Sequence, residues 1–523
     1  MKFLEKWERQ LGRLSEERFY LVVLSVLALI FAVVAINFAI GLHRNFLTIA
    51  CDTAAFQSAI VNTLHGNFFR DTAYDGPNML GLHSMFIVLL LAPIYAFWPS
   101  VDLLFALQIL AIYSTVIPLY LVALEILRRP LPAFLIAAAA LVSPMFLQMA
   151  MAPFHPESWI LAAVLWSYYF YLRNQPRAFW ISFILAVISG EQAALIYAAL
   201  GIALLLSDDG IAWRKRYGIW ALAAGAGWFL FSTGVLVPLM RSPDQHNLVA
   251  YHYAGWGLES GASDRRIETA SDLAAAVPED PFMALTLLLN YNRWLHVLGI
   301  VGAPLLLAFL SRRTLILLLP FPVYFLMSSQ EFFLGFHAYF YEFAFLAGYL
   351  ALILFLKNWE VATRLGMTVL ATTAFLNVLL ASSVVGHYGE LWGGENAPLT
   401  DALHDIFDKI PPEAAVYSPH RFSAYLSNRT DMVMGDLREE KLDFNSMLES
   451  RYGTTNVHSD QIEYIVCDLQ NDQCGWRQGG YKKEDTKNRA DNLNTLLQTG
   501  QWKVFWSQHD VVILQRKGRD NPK

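Results

Sequence analysis

The apolar residues of this chain are gathered into long runs, and from Phe19 to Leu42 no charged residue interrupts the sequence. Further runs of roughly 17 to 25 residues follow, the length a helix needs to cross ~30 Å of hydrocarbon. A segment in lipid must satisfy its own backbone polar groups, so such runs fold as helices or as strands of a closed barrel. Alternating segments of about 10 residues are missing, which argues against the barrel. The chain reads as a polytopic α-helical membrane protein.

Hydrophobic segments lie near 19 to 42, 80 to 98, 102 to 127, 131 to 150, 158 to 173, 178 to 206, 217 to 240, 292 to 310, 313 to 328, 337 to 357 and 365 to 386. That is about 11 segments, some of them re-entrant or interfacial. Residues 1–18 are mixed in charge and lack a cleavable-signal pattern, so the first run is expected to remain as an anchor.

Lys and Arg are retained on the cytoplasmic side of a membrane. Here they cluster at Arg128 and Arg129, Arg173 and Arg177, Arg214 to Arg216, Arg312 and Arg313, and Lys357 with Arg364. All five clusters share one side only if the run from Ala178 to Leu206 breaks at Ser189, Gly190 and Glu191. One of the segments 80 to 98 and 102 to 127 must also fail to cross. Irregular backbone of this kind is tolerated at membrane depth where it is buried or lines a cavity. The segments 43–79, 151–157, 241–291 and 329–337 then fall outside the cytoplasm together with the tail from 388, in a protein of the cytoplasmic (inner) membrane whose N-terminus is cytoplasmic.

After His387 the composition turns soluble, and short apolar runs such as IEYIVCDL and WKVFWSQHDVVILQRK read as strands. Residues 388–523 are expected to form an extracytoplasmic α/β domain, following a transmembrane domain over 19–387 with outer loops 43–79 and 241–291. Cys467 and Cys474 bracket a short loop there and are a disulfide candidate outside the cytoplasm. Cys51 has no obvious partner and reads as a small apolar filler. The net charge of -6 is small, and the basic residues form no continuous stripe, which excludes a nucleic-acid partner. Walker-type, His-Glu-x-x-His and nucleophile-elbow motifs are absent from the sequence.

Asp52 follows the first span, where a carboxylate stays ionised near water. It can take a proton from an acceptor hydroxyl or hold a divalent cation against a lipid phosphate, or it can simply cap a helix. Asp71 and Asp75 in RDTAYDGPN are turn formers. His155 and Glu157 flank Pro156 in MAPFHPESW, suited to proton transfer or hydroxyl recognition, or to starting the next helix. Glu191 is an acid inside an apolar run, a functional candidate by position or a cap of the second half-helix. His65, His83 and His337 add imidazoles on the same expected side; a single histidine among aromatics is more often structural. Aromatic residues at span ends read as interfacial belts.

The stretches DTAAFQSAIVNTLHGNFF, LHSMFIVLLLAPIYAFWPSVDLLFALQILA, FHPESWILA, the Gly-Glu of ISGEQAALI, FHAYFYEFAFLAG and PPEAAVYSPHRFSAYLSNR are similar to a prokaryotic family of multipass membrane proteins. The family is known only as membrane proteins of unknown function and is grouped with the GT-C superfamily of integral-membrane glycosyltransferases. The resemblance implies a GT-C-like helical bundle that transfers a sugar from a polyprenyl-phosphate donor on the extracytoplasmic face. It also implies an essential acid in the first outer loop, the position Asp52 matches. Many members carry a paired acid there, whereas this chain has Asp52 followed by Thr53, so the metal stays unknown, with Asp52 its ligand if a divalent cation is used. Glu157 corresponds to the second outer acid, and Arg70, Arg241 and Arg293 are candidates for the lipid phosphate by side and charge.

The expected function is therefore a GT-C-type glycosyltransferase with Asp52 as base, His155 and Glu157 beside it, and His65, His83, Glu191, His337 and Arg70 binding substrate. Two competing readings are a transporter or lipid-handling protein, motivated by the broken 178–206 segment, and a non-catalytic subunit whose C-terminal domain binds a protein partner.

Overall fold

The computed structural model describes residues 15–48, 51–73, 77–207, 210–243, 245, 247, 249, 253, 270–322, 328, 341–358, 368, 370–382, 397–435, 437, 457, 459–469 and 483–518. The first apolar run becomes the helix Glu16–Arg44, with Glu16 and Glu17 in its first turn and His43 and Arg44 in its last, the arrangement a helix dipole favours. Leu24, Ala28, Ala32, Ala35, Ala39 and Leu42 recur every three or four residues and are buried. This small-residue face packs on the helices Val101–Ser114 and Pro130–Leu141. The opposite face exposes Val22, Val26, Leu29, Val33 and Val34, a surface that suits lipid rather than water.

Three described helical stretches are long and apolar enough to cross a membrane: Glu16–Arg44, Val101–Leu127 and Arg214–Met240. Pro130–Leu141 and Pro144–Met151, bent by 42° where Ser143 and Pro144 interrupt them, make a fourth if counted as one span. The other described apolar segments run as shorter helices, several opened by a proline at the first turn, as in Pro176–Ser189 and Pro304–Ala308. Of the two segments that could not both cross, Val101–Leu127 is the long one. Val88–Phe97, at about 1.5 Å per residue, reaches only about 15 Å.

The 178–206 run is broken where the sequence places the break. Pro176–Ser189 ends at Gly190, Glu191 follows, and Gln192–Leu205 begins. The returning helix packs on Arg214–Phe231 backbone against backbone. A Cβ on Gly201 would run into the Leu222 amide, and one on Gly225 would meet the Ala194 carbonyl at 2.6 Å.

Arg128, Arg173 and Arg216, from three of the basic clusters, gather at one end. Arg128 and Arg173 both bond to Glu125, at 2.6 and 3.4 Å, and Arg216 donates to Asn174 at 2.7 Å. Tyr120 donates to the Glu17 carbonyl, which ties the start of the first helix to the same end.

The C-terminal unit is a mixed five-stranded sheet in the order β2-β1-β3-β5-β4, formed by β1 (Val416–Ser418), β2 (Met432–Met434), β3 (Tyr464–Asp468), β4 (Trp502–Gln508) and β5 (Val511–Arg516). β1 runs parallel to β2 and β3, while β5 is antiparallel to β3 and β4. The helices Ala397–Phe407, His420–Leu426 and Lys483–Gln498 accompany the sheet. Cys467 is buried on β3, and Cys474 lies outside the described residues, as does the pairing expected of them.

This unit sits on the helix Cys51–Leu64 and the segment after it. The Met434 amide donates to the Ala73 carbonyl at 2.9 Å, the Met432 amide to the Thr72 hydroxyl at 3.2 Å, and Ser427 to Gln57 at 2.6 Å. Cys51 is more than a filler, since its Sγ lies 3.0 Å from His420 Nδ1 of the C-terminal unit.

Candidate active site

Asp52 stands in the first turn of Cys51–Leu64, where a carboxylate favours the positive end of the helix dipole. Its Oδ2 lies 3.4 Å from His155 Nε2, with the Asp52 side chain 31% exposed and that of His155 8%. His155 is held from its other side, because Nδ1–H donates to the Pro153 carbonyl at 2.8 Å. That bond leaves Nε2 to face the carboxylate. Burial by itself would lower the His155 pKa, but the hydrogen bond and charge of Asp52 raise it above the usual imidazole value.

The loop carrying His155 is fastened at three points. The His155 amide donates to Gln108 Oε1 at 2.6 Å, and Gln108 Nε2 donates to the Met149 carbonyl at 3.0 Å. The Phe154 amide donates to the Thr53 hydroxyl at 2.9 Å. Thr53, at the position where the resemblance leads one to expect a second acid, is thus a clamp that seats the histidine loop against Asp52.

Two residues on, the short 3-10 turn Pro156–Trp159 buries Glu157, which is 2% exposed. Among the described residues its Oε2 has no hydrogen-bond partner, and burial raises its pKa. The break before Gln192–Leu205 brings in Glu191, which accepts from His83 Nδ1 at 2.9 Å and from the Ser84 amide at 3.1 Å. Glu157 lies near enough to interact electrostatically with His155, His83 and Glu191, and His83 likewise with Asp52. Five of the residues singled out in the sequence, Asp52, His155, Glu157, His83 and Glu191, therefore share one end of the bundle.

The others do not join them. His65 is exposed at the far end of Cys51–Leu64 and bonds to the Val61 carbonyl at 2.8 Å. Arg70 is turned to the C-terminal unit, bonding Asp431 at 3.0 Å and Asn62 at 3.3 Å. Arg293 is buried and donates to the Ser328 carbonyl at 2.8 Å, while Arg241 reaches the Gly81 carbonyl at 3.3 Å, two residues from His83. Asp71 accepts from the Ala73 amide at 2.8 Å, the Asx turn its neighbours foretell. His337 and Asp75 lie outside the described residues.

One acid of this region escaped the sequence reading. Glu342 opens the helix Glu342–Asn358 and is fully buried; among the described residues neither carboxylate oxygen has a hydrogen-bond partner. It interacts electrostatically with Glu157. The stretch FHAYFYEF carries it, but an acid beside five aromatics gives no local signal of what it faces.

Among the described residues no three His, Cys, Asp or Glu side chains converge as metal ligands, and the hydroxyl next to Asp52 is taken by the Phe154 amide.

The fold has known likenesses. ArnT from Cupriavidus metallidurans bound to undecaprenyl phosphate matches with a TM-score of 0.50 at 12% identity, over 96% of this chain and 99% of that one. An Archaeoglobus fulgidus oligosaccharyltransferase tethered with an acceptor peptide gives a TM-score of 0.42 at 13% identity, over 84% of this chain and 69% of that one. At such identities the likeness to the first structure is one of fold alone. The family model described as "Predicted membrane protein (DUF2079)" matches residues 42–513. A comparison with curated proteins gives no match.

Proposed function

The chain belongs to the DUF2079 family of predicted membrane proteins, and from that premise we propose that it is a membrane glycosyltransferase. It moves a sugar from a polyprenyl-phosphate donor to an acceptor hydroxyl on the extracytoplasmic face. The N-terminal segment 1–18 is cytoplasmic in this reading, the bundle spans 19–387, and residues 388–523 cap the outer end. The observation that carries it is the Asp52–His155 pair, seated where the bundle meets the C-terminal unit and joined there to further buried acids.

The chemistry follows from the pair. Asp52 accepts the proton of the acceptor hydroxyl while the freed oxygen bonds to the anomeric carbon. The bond from that carbon to the phosphate oxygen breaks, and the polyprenyl phosphate leaves with the electron pair. His155, fixed by Pro153 and Gln108, orients the carboxylate and keeps it ionised. Glu157 and the His83–Glu191 pair offer acceptors and donors to sugar hydroxyls.

Asp52→Asn is expected to lower transfer by about 10²–10⁴-fold, the usual contribution of a general base, without unfolding the protein. Products of extracted polyprenyl-phosphate sugars, followed by mass analysis, report it. Full activity in this variant rejects Asp52 as the base, and substrate flux in proteoliposomes without any covalent product favours a transporter.

A further inference from the structure

At the Asp52 end of the bundle the acids Glu157 and Glu342 come together from distant parts of the chain. Glu157 lies in the turn Pro156–Trp159, which runs on into the helix Ile160–Leu172, and Glu342 opens the helix Glu342–Asn358. The two helices pack on each other. Phe345, three residues on from Glu342, stacks on Phe146 with ring centroids 5.2 Å apart, which sets this helix start against Pro144–Met151, the helix that leads to His155. Both acids are buried, at 2% and 0% exposed, and Glu157 acts electrostatically on Glu342. Three of their four carboxyl oxygens, Glu157 Oε2 and both of Glu342, have no hydrogen-bond partner among the described residues. His155, His83 and Glu191 also act on Glu157. The helix Tyr291–Val301 packs on Glu342–Asn358 as well. From it Arg293 donates to the Ser328 carbonyl and His296 lies against Tyr341 with ring centroids 6.4 Å apart; neither bonds a Glu342 oxygen.

We propose that Glu157 and Glu342 share one proton and act as a single carboxyl pair with one negative charge between them. A carboxylate taken out of water and given no donor is costly, and two of them side by side repel. A proton held between the two supplies a donor where an oxygen has none and removes one of the charges. The shared proton stands on burial and unmet hydrogen bonds alone; its use for the site rests on the glycosyltransferase reading. Asp52, Glu157, Glu191 and Glu342 set four acids against the imidazoles of His83 and His155, where in that reading a donor phosphate arrives as a further anion. With the pair singly protonated, one negative charge fewer faces the phosphate, and the repulsion it meets falls. Glu157 and Glu342 then act on the donor through the field of the site, without touching the reacting atoms.

Infrared spectroscopy of the full-length chain in detergent, titrated with acid and base, tests the shared proton without any substrate. The carbonyl band of a protonated carboxylic acid is expected at neutral pH, shifting in heavy water and fading as pH rises. Glu157→Gln and Glu342→Gln each leave one acid facing an amide donor in place of a like charge, and each is expected to remove that band at neutral pH. No such band in the unmodified chain, a band untouched by both substitutions, or one lost in only one of them overturns the pair. Should a glutamine variant not fold, Glu157→Asp and Glu342→Asp keep both acids and are each expected to move the band; a band moved by only one or by neither overturns the pair. Where transfer is measured, the donor KM is expected to rise several-fold as pH climbs through the titration of the band, and Glu342→Gln to abolish that rise. A KM without the rise overturns the pair's use for the donor. A chain whose band behaves as stated but which transfers no sugar fails the glycosyltransferase reading and not the pair.

Discussion

At the scale of single residues, His155 sets how the site responds to pH. Its pKa in the folded chain lies above the ordinary 6.5, because Asp52 outweighs the effect of burial. A group raised in this way contributes stability that is whole below the unfolded value and fades as pH climbs through the folded one. The Asp52–His155 contact is therefore expected to loosen on the alkaline side, and transfer to fall there. In His155→Gln that alkaline limb should flatten; a pH–rate profile identical to the unmodified chain removes His155 from the reaction. Arg70 offers the contrary case. Its ion pair with Asp431 is partly exposed, so Arg70→Ala should cost no more than about 1 kcal/mol and leave transfer intact. A collapse of transfer in that variant would restore Arg70 as a phosphate ligand.

Between elements, close approach does the positioning. Gly201 and Gly225 let two helices touch through their backbones, so Gly201→Val forces them apart and is expected to destabilise the bundle by about 1–3 kcal/mol. Thermal unfolding in detergent measures the loss, and an unchanged midpoint contradicts the contact. Thr53→Val keeps the shape but leaves the buried Phe154 amide without its acceptor, a cost of about 1–3 kcal/mol. Because that amide adjoins His155, transfer should fall further than in Gly201→Val at equal stability. Helix boundaries of this kind were legible in sequence where chemistry marks them: the break at Gly190 and Glu191 could be read directly, as could the prolines that open helices. The partners across a gap could not, since Gln108 and Thr53 are ordinary members of apolar or amphipathic helices.

For the molecule as a whole, the two ends differ in chemistry. Arg128, Arg173 and Arg216 share one end, and Asp52 lies with the buried acids at the other, beside the C-terminal sheet. Single cysteines at 128 and 409, both exposed positions, should therefore label from opposite sides of the membrane with an impermeant reagent. Labelling of both from the same side would remove the topology on which the extracytoplasmic site rests. The long apolar runs, the soluble tail and the grouping of Arg128, Arg173 and Arg216 follow from composition and spacing, because a span and a charge each obey the bilayer locally. The residue names Asp52, His155, Glu157 and Glu191 were available from the same reading, since ionisable groups at span ends are few. Their convergence was not, and neither were Glu342, the turning of Arg70 toward Asp431, or the strand order of the sheet. Each of these depends on which distant segments touch, and a contact made across hundreds of residues leaves no trace in the local pattern of either partner.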